Sequence, residues 1–273
     1  MTRLFATFAG LLAGAALLSA QQFTPAAGAE LLHRPLDQIL DVNVRDGLVY
    51  YRALKGERGR LDRYVASLNV TSSGYQGWSK AQQMAFWVNA YNAFVLETVI
   101  NHYPLHATVK QIPGAFDKTP WRAAGKTVTL DQIEKTILPE FKEPRLYLAL
   151  GRGAVGGGRL RSEAYTGDRL DAQLAAIQQE FVNDRHMYRL DRAANTIAIT
   201  PIVSWRDTDF ATAYADKADP LFVQRSPIER AVIAFVWPHL LPSEKELVRK
   251  NEFKMTFLEM DWRLNDLTGG RVE

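Results

Sequence analysis

The sequence predicts an α+β fold: a helix-rich single domain with a small, mostly antiparallel sheet. Three observations lead there. Helix-start signatures recur, with a hydroxyl residue followed three positions later by Gln or Glu at Ser79–Gln82, Thr129–Gln132, Ser226–Glu229 and Ser243–Glu246. Strand-like runs are short and few. Helices and strands do not alternate regularly, which argues against a doubly wound parallel sheet.

The elements follow in chain order. Met1-Thr2-Arg3 is a short positive start, Leu4 to Leu18 an apolar run, and Ser19-Ala20 a small-residue cleavage site before Gln21-Gln22. That pattern is an export signal over residues 1–20. The run is about 15 residues, too short to span a bilayer comfortably. Leu18 is bulkier than a good cleavage site prefers, so an uncleaved anchor is the alternative. Residues 21–44 are expected to be an N-terminal, partly extended segment, and 45–273 the folded domain. The caps and apolar spacing predict helices over roughly 57–68, 79–101, 130–138, 168–183, 205–214, 227–237 and 243–249. Residues 145–150 (RLYLAL) read as a strand ahead of a glycine-rich loop. Residues 186–190 and 196–200 read as a hairpin, 254–258 as a late strand, and 121–129 as a hairpin turning at Gly125-Lys126.

Composition narrows the chemistry. The 273 residues are 47% hydrophobic and 23% charged, which is ordinary for a globular protein. Cysteine is absent, so disulfides, thiolate metal sites and thiol catalysis are excluded. The net charge of +3 and the lack of a basic block give no case for nucleic acid. No stretch after the N-terminus is apolar enough to cross a bilayer. No cofactor is implied.

Gly151 to Gly158 contains G-x-G-x-x-G, but a dinucleotide site needs a helix opening at the third glycine. The next helix is expected only near Asp168. Two readings remain: an anion-binding nest of bare backbone N–H groups flanked by Arg152, Arg159 and Arg161, or a flexible surface turn with solvated arginines. Gln82, Asn89 and Asn92 fall on one face of the long helix. They are either a structural network tying loops to that helix or, for Asn89 and Asn92, groups facing a ligand cleft. His102 and His106 have an i, i+4 interval, but Pro104 breaks the helix that would align them. His33, His186 and His239 are isolated in sequence. Asp207 and Asp209 sit at a helix start, where carboxylates favour the dipole without any function. No G-x-S-x-G elbow exists.

The string Gln83-Met84-Ala85-Phe86-Trp87-Val88-Asn89-Ala90-Tyr91-Asn92-Ala93, followed by His102-Tyr103-Pro104, resembles the domain-of-unknown-function 547 family. Pro120-Trp121, residues 130–134, Pro144-Arg145, residues 160–165 and 169–174, and Asp261-Trp262-Arg263-Leu264-Asn265 extend the resemblance from about residue 45 to the end. Members usually read His-Phe-Ala-Leu-Asn-Cys-Ala-Ser, then a second Cys before Pro-Pro-Leu-Arg, an arrangement that invites a thiol-enzyme reading for them. Here Tyr147 stands at the His position, Gly151 at the Asn, Arg152 at the first Cys and Gly157 at the second, with Gly158 and Arg159 for the prolines. If that loop is catalytic in relatives, the resemblance implies a non-catalytic copy. If the cysteines are structural, their loss says nothing about activity.

The expectation is therefore an exported, periplasmic or secreted, binding or structural protein without thiol chemistry. It would take a small anion or an acidic peptide around Asn89, Asn92, Arg152 and Arg161. The rival is a hydrolase using Glu134, Asp209 or Asp261 with Asn89 as a polarising amide. A third reading is partner docking through aromatics near Trp205 or Trp237.

Overall fold

The computed structural model describes residues 25–105 and 107–268. The export segment 1–20 and His106 lie outside the described residues. The protein is a helix-rich α+β domain, with twelve α-helices and seven short strands among the described residues.

The N-terminal segment expected to be partly extended is instead a helix, α1 (Pro25–Asn43). Its Leu36, Ile39 and Leu40 are buried, so an apolar stripe at helical spacing pins it to the core. Pro35, which the helix accommodates, hid that periodicity. A tight hairpin of β1 (Val44–Arg45) and β2 (Leu48–Val49) follows, turning at Asp46-Gly47 with positive φ at both. Short helices α2 (Tyr51–Gly56), α3 (Gly59–Ser67) and α4 (Ser72–Gln76) lead to the central element, α5 (Lys80–His102).

Ser79 and Gln82 cap α5 reciprocally, as the sequence predicts. Buried residues from Ala85 to Ile100 ring α5 on all sides, and α1, α2, α3, α6 (Leu130–Gln132) and α8 (Leu170–Phe181) pack around it. A buried Phe or Leu contributes roughly 1.5–3 kcal/mol over an exposed one, so α5 is the axis of the core. Thr129 caps α6, and the chain then widens into a π turn over Ile133–Ile137 that carries Glu134.

The run at 145–150 is not a strand: Arg145–Leu148 form α7. Leu146, Tyr147 and Leu148 are all buried, so a continuous apolar run carried no periodicity to separate strand from helix. The expected helix at 205–214 is split at Arg206 into α9 (Pro201–Trp205) and α10 (Asp207–Tyr214). Further on, α11 (Pro227–Val236) has its predicted Ser226–Glu229 box. The last helix, α12 (Pro242–Arg249), starts one residue earlier than expected. There Glu244 accepts from the Leu241 N–H at 2.9 Å, and Ser243 lies inside the first turn.

Strand content forms three small sheets. β3 (Trp121–Ala123) and β4 (Lys126–Val128) make the predicted hairpin. β5 (Tyr188–Asp191) pairs antiparallel with β6 (Thr196–Ile199), which pairs in parallel with β7 (Lys254–Phe257).

Candidate functional site

The glycine-rich segment runs through the interior: among residues 151–160 only Val155 and Arg159 are not buried. Neither sequence reading of it survives. The N–H groups of Gly151 and of residues 154 to 158 donate, in order, to Asn92 Oδ1 and to the carbonyls of Gly151, Arg263, Asp261, Ala154 and Leu150. A nest with these six donors spent has less left for an anion. The glycines answer a packing demand instead. A Cβ at Gly156 would lie 2.7 Å from Asp261 N, one at Gly157 2.6 Å from Gly151 O, and one at Gly158 would overlap the Leu148 carbonyl.

The amides of α5 hold this loop. Asn92 Nδ2 donates to Ala149 O (3.0 Å) while its Oδ1 accepts from Gly151 N (2.8 Å). Asn89 does the same to Tyr165, donating to its carbonyl (2.8 Å) and accepting from its N–H (2.9 Å). Both side chains are buried with each end of the amide used, which is the structural network rather than the ligand-facing one.

Arg152 is also interior, only 2% exposed, with a left-handed backbone (φ 45°). Its guanidinium donates to Glu134 Oε1 (2.7 Å) and to the carbonyls of Tyr147 and Leu150. Arg206 adds a bond to the Glu134 carbonyl (3.0 Å), and Tyr91 Oη donates to Glu134 Oε2 (3.3 Å). Trp205, 44% exposed, covers the Arg152 guanidinium with its ring 5.9 Å away. Tyr147 donates to Asp209 Oδ2 (2.8 Å). An internal ion pair thus fills the space at Arg152. Arg161 is half-buried and committed to Glu163 (3.1 Å) and Glu180 (3.3 Å).

Carboxylates proposed for acid–base work are likewise engaged. Glu134 faces Arg152, Asp209 faces Tyr147, and Asp261 is gripped by the Arg263 fork. That grip, chiefly the Arg263 hydrogen bonds, holds the Asp261 carboxyl below its ordinary value. His33 is a core residue on Tyr64, and burial depresses its ring to about 3. No group of His, Asp and Glu among the described residues has the geometry to hold a metal ion.

The outer face of the loop does line a cavity. Ala154, Val155, Gly158 and Arg159 form one wall of a groove of about 540 Å³. Leu148, Ile177, Phe181 and Met187 supply an apolar floor. The rim carries charge. Arg159 ties Asp46 (2.9 Å) and Glu180 (3.5 Å) together at one end, and Asp184 takes the His186 N–H (2.8 Å) at the other. Arg185 and His186 continue into a second hollow of about 510 Å³ lined also by Gly156, Arg189, Glu259 and Asp261. His186 Nδ1 lies 3.8 Å from Asp261 Oδ2, outside hydrogen-bond range. Arg185 and Arg189 are exposed and ion-paired to no carboxylate among the described residues; Arg189 Nε donates to the Arg185 carbonyl (2.7 Å).

Residues 75–182 match the model of the family described as "Protein of unknown function, DUF547". Over these residues the chain is similar to the DUF547 domain. That match is shorter than the resemblance read from residue 45 onward. The matched stretch contains α5, the π turn, the interior loop and α8, and so one wall of the groove and its floor apart from Met187. The opposite rim, residues 183–187, and the three-stranded sheet follow it. No curated protein and no solved structure matches the chain.

The loop singled out in the sequence has two sides, and the predicted residues and the groove lie on different ones. Asn89, Asn92 and Arg152 come together behind the loop, and Arg161 at its end. The groove residues Ile177, Phe181, Arg185 and His186 were missed. The one available signal was two arginines, Arg185 and Arg189, at the predicted helix-to-strand junction after an apolar helix face.

Proposed function

We propose that this DUF547 protein is a non-catalytic binding protein that holds an acidic peptide in the groove beside the interior loop. One observation carries the reading: an apolar trough of about 540 Å³ opens next to Arg185 and Arg189, two guanidiniums that form no ion pair among the described residues. An apolar side chain in the trough and an acidic one on these arginines would match both features. Asn89, Asn92 and Arg152 act as positioning residues, because they hold the loop that forms the wall. A bare small anion has less behind it, since the loop N–H groups are used internally. The carboxylate hydrolase also has less behind it, since each of its three candidates already serves a neighbouring side chain.

A dye-labelled synthetic peptide alternating leucine with aspartate tests this by fluorescence polarisation. Binding should be saturable and should fall about tenfold or more in Arg185→Glu/Arg189→Glu, which removes two charge-assisted contacts. It should fall similarly in Val155→Glu, which puts a charge into the trough. Unchanged binding in both variants removes the proposal. We also propose that residues 1–20 direct export. N-terminal sequencing of protein recovered outside the cytoplasm should then begin at Gln21, and an intact Met1 start would count against it.

A further inference from the structure

A third cavity, about 490 Å³, lies between α8, the end of α10, the 220–222 turn and α11. Its walls are rings: Tyr214, Phe222 and Trp237, with Ile233 and Pro238 completing an apolar interior. Phe222, itself buried, and Trp237 stand 6.2 Å apart at 63°, an edge-to-face pair in the cleft wall, while Tyr214 and Trp237 are the half-buried rings there. Around these rings sit three cations. Lys217 Nζ lies 4.7 Å over the Tyr214 ring, and Lys245 and Arg249 lie 5.9 and 5.4 Å over the Trp237 ring. None of the three is ion-paired to a carboxylate among the described residues, whereas Arg145, Arg161, Arg225 and Arg263 each are. Asp219 is the acid in the lining, and its Oδ1 accepts the Leu221 N–H at 2.9 Å.

We propose that this cleft binds a planar aromatic carboxylate. The rings supply offset and edge contacts to a flat apolar body. Lys217 in the lining, reinforced by Lys245 and Arg249 over the Trp237 ring, outweighs the single lining acid Asp219, and this excess of positive charge favours a negative group over a neutral or positive one. A volume of this size is ordinary for a small-molecule site. The site shares no lining residue with the peptide groove, so the two proposals stand or fall separately.

The probe is naphthoate, titrated calorimetrically into the full-length protein, with neutral naphthamide as its isostere. Naphthoate should bind at one saturable site, and naphthamide at least about fivefold more weakly, the factor that about 1 kcal/mol of charge interaction produces. Lys217→Ala/Lys245→Ala, both surface changes, should weaken naphthoate about fivefold with an unchanged circular dichroism spectrum. Arg185→Glu/Arg189→Glu should leave naphthoate binding intact. Equal binding of the two probes, wild-type affinity in the lysine variant, loss of binding in the arginine variant, or no saturable binding would each overturn the assignment.

Discussion

Arg152 is the residue on which the interior turns. A guanidinium this deep is tolerable because Glu134, Tyr147 and Leu150 meet the donors of its two terminal nitrogens, although its buried Nε has no hydrogen-bond partner. Removing it leaves the Glu134 carboxylate buried without its counter-charge. Arg152→Ala should therefore cost about 3–5 kcal/mol in urea unfolding, and Arg152→Met/Glu134→Met should recover most of that. The same pair sets an acid dependence. Burial pushes the Glu134 carboxyl up, but the charge and hydrogen bond of Arg152, joined by Arg206, outweigh it and hold the group below its ordinary value. A depressed carboxylate contributes stability at neutral pH that is lost as pH falls through its folded-state value. Glu134→Gln protein, though less stable at pH 7, should show a shallower decline between about pH 5 and pH 2 than the unaltered protein. None of this was legible in the sequence. An arginine between two glycines looks like a solvated turn residue, and only its neighbours in space make it a core group.

Among the elements, the interior loop and the caps teach opposite lessons. Three of the four predicted capping boxes form as expected, because a cap joins groups three residues apart and needs nothing distant. The loop was misread because its glycines serve contacts with residues far along the chain, such as Gly156 against Asp261. Gly158→Ala should be severely destabilising, since the added methyl overlaps the Leu148 carbonyl. Gly28→Ala, in α1 with open space around it, should be neutral or stabilise by roughly 0.5–1 kcal/mol. Thermal melting of the two variants checks the contrast. Helix α7 was misread for a related reason: a short run buried on every side has no periodicity to read.

Across the whole molecule, residues 265–266 close onto Gly47, Tyr51 and Tyr103. Asn265 accepts from Tyr51 Oη (2.7 Å) and donates to the Gly47 carbonyl (2.9 Å), while Asp266 accepts from Tyr103 Oη (2.9 Å). The backbone of 154–156 pairs with 261–264, so the C-terminal segment backs the interior loop. The sequence by itself determined the helix-rich α+β class, the apolar circumference of α5, most helix starts and the absence of thiol chemistry. Each of these depends on residue type or on spacing within one element. Only the tertiary structure decided that the glycine loop is interior, that Arg152 is an ion-pair partner for Glu134, and that the cavities lie beside α8. Those facts depend on pairs of residues brought together from distant parts of the chain, and no local pattern encodes which distant group a side chain will meet.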